Sequence, residues 1–330
     1  MAYDNVIDRA SNTAIEIPEQ VASEVLQEAT ASSTVMQLAR KVRMSSKTYR
    51  QPVLDVLPDA YWVNGDTGLK QTTEVEWDNI YLTAEPLAVL VVVPDEFLQD
   101  ATIPIWSEVR PLIAEAFGRK IDNAALWGLD KPASWTNYVY ADAATAGNYV
   151  EIGQNKGMVA SASTVTPGSN YSDLAVDVAM MGLQLSEDGF NLNGFAAQPG
   201  FNWRLLGQRD VNGQPIYTNL IGDNRQGLYG VPFTEAKNGA WDSEVKLIGG
   251  DWSKAILGTR LDMTFTMHTD AIISDGSGNV VFNAMQQDSK IMRVVGRYGF
   301  AIANPVTRQN ATAATRSPFS LLVDNNTVGS

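Results

Sequence analysis

Apolar residues recur at a spacing near 3.6 in some stretches of this chain and alternate with polar ones in others, and the switches between the two periods lay out its elements. Pro18 stands where a helix begins, and Val21, Val25, Leu26 and Ala29 follow at helical spacing. A second helical pattern comes after Ser32 and Ser33, through Val35, Leu38, Ala39 and Val42. From Thr48 to Val93 the pattern turns to β. A first strand over Tyr49–Leu57 stops at Pro58-Asp59, and Thr73–Leu82 alternates again, with Val75 and Trp77 on one face. Between them, Trp62 to Gly68 is turn-rich, with Gly65 and Gly68 suited to positive φ. Leu87–Val93 is a continuous apolar run ended by Pro94, the pattern of a strand buried on both faces. The whole reads as a long two-stranded excursion with a polar tip. An isolated hairpin is marginal in water, so this one needs another surface to lie on.

Helical spacing returns with Leu112, Ile113, Ala116, Phe117, Ile121, Ala124 and Ala125, one broad apolar stripe. Arg110, Glu115, Arg119, Lys120 and Asp122 are expected on the opposite, solvated side. The run from Leu112 to Trp127 spans about 24 Å as a helix, closed by Gly128. If the helix begins at Pro104, Pro111 lies inside it, and an interior proline predicts a kink or a restart. Lys131 to Asn170 reads as loop with weak strand signals near Val139 and Val150, and Tyr171 to Glu187 as a helix capped by Ser172 or Asp173. Met181 on that helix reads as core. From Phe195 onward short strands alternate with turns. Leu261, Met263, Phe265 and Met267 give one strand a buried face, Asp275–Asn279 is a turn, and Lys290–Ile302 is a last strand region. The tail from Arg308 has little hydrophobic content and reads as extended or mobile.

Composition narrows the function. The 330 residues are 45 % hydrophobic, enough for a sizeable core, but only 18 % charged. Asn, Gln, Thr and Gly take the place of charge, and neutral polar surface is cheaper to desolvate against another chain. The net charge of -13 argues against a dedicated nucleic-acid binder, which carries a basic stripe. The densest basic run, Arg40, Lys41, Arg43, Lys47 and Arg50, reads first as a solvated face paired with Glu24 and Glu28, and second as a contact for a polyanion or an acidic neighbour. Cysteine is absent and there is one histidine, so disulfides, thiol chemistry and multi-histidine metal centres are excluded. No secretory signal opens the chain and its longest apolar run is too short to span a membrane, so it reads as a cytoplasmic product with no membrane partner.

Catalytic constellations are missing from the pattern. There is no G-x-S-x-G elbow, phosphate-binding glycine loop or H-E-x-x-H. His268 sits on the polar face of its strand, and Asp95-Glu96 open a helix, where carboxylates favour the dipole. A hydrolase using these three is the remote alternative.

The order of elements, an arm, a β-excursion, a long helix ending in Gly, a helix–strand region and a return strand, resembles the major capsid proteins of tailed bacteriophages. Ala60-Tyr61-Trp62-Val63-Asn64-Gly65 with Leu69-Lys70-Gln71 is similar to that family's extended-loop tip, and Val91 to Ala101 to its segment entering the long helix. Ala124-Ala125-Leu126-Trp127-Gly128 resembles the helix end. Gly194-Phe195, Trp203-Arg204-Leu205-Leu206, Asn212-Gly213-Gln214-Pro215 and Gly230-Val231-Pro232 resemble the axial domain, and Gly249 to Ala255 a strand start.

The resemblance implies an α+β fold of the Hong Kong-ninety-seven type. Its parts are an N-terminal arm (1–47), an extended loop or E-loop (48–95) and a peripheral domain with a spine helix (96–170). An axial domain (171–284) and a return strand with C-terminal tail (285–330) complete it. It implies a shell of hexamers and pentamers around double-stranded DNA, a portal protein, and a decoration or cement protein in some cases. The arm begins near Met1, so the scaffolding protein is expected to be a separate chain. The alternative within the fold is an encapsulin-like compartment. No cofactor or catalytic residue is implied. The expected inter-subunit contacts are Trp62, Gly65, Asp66, Gly68, Lys70 and Trp77, around the excursion's tip and second strand. In a few family members a loop lysine and an asparagine near the return strand form an isopeptide bond beside a buried glutamate. Lys70 matches the lysine, and Asn283, Gln286, Gln287 and Asp288 lie near the other position. Met292 to Gly296 offers no carboxylate where the glutamate belongs, so a shell without covalent cross-links is expected.

Overall fold

The computed structural model describes residues 33–63, 70, 72–101, 104–152, 174–207, 214, 228–242 and 244–324. The helix expected after Pro18, the partners Glu24 and Glu28, and the caps Ser172 and Asp173 lie outside these residues. Ser33 accepts a bond from Met36 N and caps a five-residue helix, α1 (Thr34–Leu38). Ala39 is already extended, so Val42 falls on strand β1 (Arg40–Arg43) and not on a longer helix. Strands β2 (Thr48–Val56) and β3 (Glu76–Thr83) pair antiparallel from Thr48–Thr83 outward. Strand β4 (Glu85–Pro94) then leads through α2 (Asp95–Asp100) into α3 (Ile105–Asp122).

Helix α3 runs through Pro111 without a restart, which corrects the expectation of one. Proline there removes the bond to the carbonyl four residues back and crowds that carbonyl, and packing of Ile113, Phe117 and Ile121 into the core offsets the cost. The departure from α geometry comes later, in a π-turn over Asn123–Trp127. Gly128 closes it at φ 70°, and a Cβ there would stand 2.8 Å from the Tyr138 ring, so only glycine fits.

Val139, expected near a strand, begins helix α4 (Val139–Ala146), and the short strand β5 (Tyr149–Glu151) follows as expected around Val150. Helix α5 (Leu174–Glu187) buries Met181 in the core. Strand β6 (Gly194–Ala197), helix α6 (Phe201–Leu206), and strands β7 (Phe233–Glu235) and β8 (Val245–Gly250) come next. The remaining strands are β9 (Ala255–His268), β10 (Ile272–Ser274), β11 (Val280–Asn283), β12 (Ser289–Ile302) and β13 (Phe319–Val323).

Two sheets organise these elements. One has the order β1-β9-β12-β4, the other β5-β13-β8-β6-β7. In the second sheet alternate residues enter two cores. Ala196, Ile248, Phe319 and Leu321 face the core shared with α3, while Phe195, Leu247 and Leu322 face the core under α5. The tail therefore does not trail: β13 is buried along its length between β5 and β8. Its four apolar residues are a small fraction of the segment, and an average over the tail hid them.

The expected excursion of 48–95 is also shorter. Its β2–β3 ladder ends at Thr83, and β4 pairs with β12 from Glu85–Tyr298 to Pro94–Ser289. β4 is buried on both faces only at its end, where Val92 and Val93 are 3 % and 0 % exposed. Leu87, Val89 and Val91 pack towards α3, whereas Pro86, Ala88 and Leu90 are exposed, Leu90 by 48 %. β9 meets its expected buried face only in part: Met263 packs against the core and Arg110 of α3 lies 5.5 Å over the Phe265 ring, while Leu261, Phe265 and Met267 stay 37–47 % exposed. These strands are as apolar as core strands, yet among the described residues part of each is left uncovered.

Candidate inter-subunit surface

The β2–β3 hairpin has one face of its own to bury. Tyr49, Val53, Ile80 and Leu82 pack with Ile256, Ala301 and Ala303 of the first sheet. The outer part of its ladder is tied down by Val306 N donating to Leu54 O at 3.0 Å. Further out, Arg308 donates to Pro58 O and faces Asp59 Oδ1 at 3.7 Å. The other face carries Trp77, 65 % exposed, and Tyr81, 56 % exposed, and beyond the ladder Trp62 is 99 % exposed. Trp77 on the strand and Trp62 beyond it are thus large apolar side chains left in water, a feature that single-chain packing does not explain.

Of the six contact residues expected from the sequence, Trp62, Lys70 and Trp77 are exposed on or beyond this hairpin. Gly65, Asp66 and Gly68 lie outside the described residues. The basic run does not form one face. Arg40, Lys41 and Arg43 are on β1, at the sheet's edge, and Lys47 pairs with Glu85 at 3.9 Å. The remote catalytic candidates are dispersed in role. Asp95 faces Lys290 Nζ at 3.4 Å, Asp95 and Glu96 occupy the first turn of α2, and His268 is half-buried at the end of β9 beside Ile291.

Sequence reading missed two features. The first is Asp122, expected in solvent. It is fully buried and accepts from Ser33 Oγ at 2.5 Å, Thr34 N at 2.9 Å, Val35 N at 3.0 Å and Asn238 Nδ2 at 2.6 Å. It thus clasps the start of α1, the point from which the N-terminal segment departs. Burial pushes its carboxyl above the usual value, and these hydrogen bonds oppose the shift. The Ser33 cap was the available signal, but nothing in the sequence gave its partner. The second feature is the exposed apolar set Ile272, Val280 and Met285, on and just beyond the β10–β11 hairpin. Its alternating residues resemble a half-buried strand, and only the structure reveals that these three are uncovered among the described residues.

This combination, a shared core between two sheets and a spine helix with apolar projections bare on the subunit, can be set beside known proteins. The phage capsid family matches the chain over residues 14–306. The chain belongs to that family. A relative, the major capsid protein of Staphylococcus phage 80alpha, is 26 % identical over 289 residues, 85 % of this chain and 79 % of its own. A solved chain from Microbacterium phage Oxtober96 superposes with a TM-score of 0.79 at 30 % identity, covering 97 % of this chain and 99 % of that one. One from Mycobacterium phage Bobi gives the same score at 27 % identity, with 97 % and 99 % covered. The α+β fold is that of tailed-phage capsids, and the chain is a capsid protein, a structural component of the virion.

The isopeptide expectation can be examined in this frame. Lys70 is exposed, Asn283 Oδ1 accepts from Met285 N at 3.2 Å, and Met292, in the region where the glutamate belongs, is buried in the hydrophobic core. An amine needs a nearby base and a desolvated site to attack an amide, and Met292 supplies neither charge nor base. Boiled particles on a denaturing gel are expected to give one band near the chain mass of 35.9 kDa. A ladder of covalent pentamers and hexamers would overturn this.

Proposed function

We propose that this chain is the major capsid protein of a tailed double-stranded-DNA bacteriophage, assembling as hexamers and pentamers into an icosahedral shell. The observation that carries the reading is the β2–β3 hairpin, packed in its own subunit along one face while Trp77 and Tyr81 stand bare on the other. In this reading 1–47 is the arm, the hairpin is the extended loop, the β4–β12–β9 sheet with α3 is the peripheral domain, and the β8-centred sheet belongs to the axial domain. A portal protein, a scaffolding protein and, at the outer surface, a decoration or cement protein are the further partners. Packaged DNA is enclosed non-specifically. A chain of net charge -13 does not grip a polyanion, which leaves DNA free to move during packaging. Assembly takes place in the host cytoplasm, and the role is structural.

Electron microscopy of the protein expressed with its scaffold tests the reading, with closed particles or capsomer rings as the expected result. Removing 66–68 at the tip should abolish particles while circular dichroism of the subunit stays unchanged. Normal particles from that deletion would show that the tip makes no required contact.

A further inference from the structure

Strand β9 is paired along its whole length on one side only. β12 runs beside it from Ala255 to His268. On the other side β1 covers Ile256 to Thr259, and among the described residues no strand pairs with Leu261 to His268 there. Such an edge presents a row of unpaired N–H and C=O groups, and proteins commonly blunt it with lysine, proline or a bulge. The bulge of β9 lies between Thr264 and Leu261, and from Thr264 to His268 the register with β12 is unbroken. This stretch holds neither lysine nor proline, and Phe265 and Met267 stand partly exposed along it.

The edge is also self-complementary. Residues 262–268 read Asp-Met-Thr-Phe-Thr-Met-His, symmetric about Phe265 except at the ends, which are an acid and an imidazole. An antiparallel strand of the same sequence, centred on Phe265, sets Phe265 against Phe265, Thr264 against Thr266, Met263 against Met267 and Asp262 against His268. Aromatic, Thr–Thr and oppositely charged pairs are those that stabilise an antiparallel ladder. A slip of one residue sets Phe265 against Thr266 and Thr264 against Met267, so that apolar meets polar across the ladder. We propose that, in the assembled shell, the β9 edges of two copies pair antiparallel about a two-fold axis at Phe265, joining their four-stranded sheets into one of eight strands. This rests on the shell reading above and adds the strand, its register and its symmetry. The arrangement is isologous, one patch serving both copies, so the pairing closes on itself and leaves no further edge at that place. The ladder partners of Phe265 and Met267 on β12 are the core residues Val294 and Met292, so the second copy extends a row that is already apolar.

The absence of cysteine gives a clean test. Residues directly opposite in an antiparallel pair have Cα atoms about 4.5–5.5 Å apart, within reach of a disulfide. Particles of Phe265→Cys are therefore expected to give, on oxidation, a dimer band of twice the chain mass on a non-reducing gel. A mixture of Thr264→Cys and Thr266→Cys chains, co-assembled, should give the same band. Met267→Cys alone should not, because two copies of that position lie four residues, about 13 Å, apart along the strand. Particles that form with no band from Phe265→Cys or from the mixture overturn the proposal, and a band from Met267→Cys as strong as that from Phe265→Cys overturns its register. Wild-type protein that forms no particles overturns the shell reading instead. A reconstruction of the wild-type particle decides the matter independently of any variant. Backbone N···O distances of about 2.7–3.2 Å between β9 of two copies, around Phe265, are expected. A β9 edge that faces solvent, or any chain segment other than β9, overturns it.

Discussion

Truncating Asp122 to alanine is expected to lower the unfolding free energy by about 3–5 kcal/mol, because it strands several buried donors at once. Its carboxylate accepts from a hydroxyl, two backbone amides and a side-chain amide, all brought from distant parts of the chain. Thr34 N and Val35 N belong to the first turn of α1 and have no partner inside the helix. Without the carboxylate they face the Phe117 side of the spine helix with no acceptor. Gly118 lies close by because a Cβ there would stand 3.2 Å from Ser33 Cβ. Urea unfolding followed by circular dichroism measures the loss, and a change under about 1 kcal/mol would sink the argument. Titration adds a second check. Burial raises the folded pKa above the ordinary 3.8, so the folded chain holds this proton more tightly than the unfolded one. The contribution is fully present below 3.8 and is lost as pH rises through the folded value. The stability of the wild type relative to D122N should therefore fall from acid towards neutral pH, and a rise would reverse the assignment.

Particular residues show where the sequence was legible. The strands 48–56 and 76–83, the helix stripe through Phe117 and the Gly128 stop were readable because each is a local pattern with a local cause: alternation, a 3.6 period, a positive φ. The resemblance to capsid proteins was readable for a different reason, the order of such patterns over most of the chain. What failed was non-local. Val42 continues the apolar spacing of α1, but Arg40 to Arg43 pair in parallel with Ile256 to Thr259, and that ladder ends the helix. Phe319 to Val323 is too short to stand out in a polar tail, yet it lies between β5 and β8. Leu90, Phe265 and Met267 were misplaced in the other direction, since apolar composition alone does not tell an exposed strand face from a buried one. The exposed hairpin face was half legible: Trp62 and Trp77 were named from the sequence, while Tyr81 joins them only once the ladder gives its face.

Trp252→Ala should have a comparable cost, about 3–5 kcal/mol, the range for removing a large buried aromatic. Trp252 is 2 % exposed and stands between β8 of one sheet and β9 of the other, where the chain crosses from sheet to sheet. Its ring meets Phe319 edge-on at 5.2 Å, and its Nε1 donates to Gly194 O at 3.0 Å. Gly194 makes room for it, since a Cβ there would lie 2.7 Å from Trp252 Cδ1. The backbone around it is fixed as well. Trp252 N donates to Asn193 Oδ1, and Asn193 Nδ2 donates to Asp251 Oδ1. One side chain thus ties β6, β13 and the start of β9 into a single body. Alanine leaves a cavity that no neighbour on two rigid sheets can fill, and frees the Gly194 carbonyl inside it. Trp252→Phe keeps most of the volume and loses only the hydrogen bond, so its cost should be the smaller by about 2 kcal/mol or more. The variants should also diverge in assembly. If the loosened contact between the sheets weakens assembly, Trp252→Ala should yield fewer closed particles than Trp252→Phe at equal amounts of folded subunit. Thermal unfolding and particle counts on the same preparations check both effects, and equal stabilities for the two variants would show that the ring volume does not hold the sheets together.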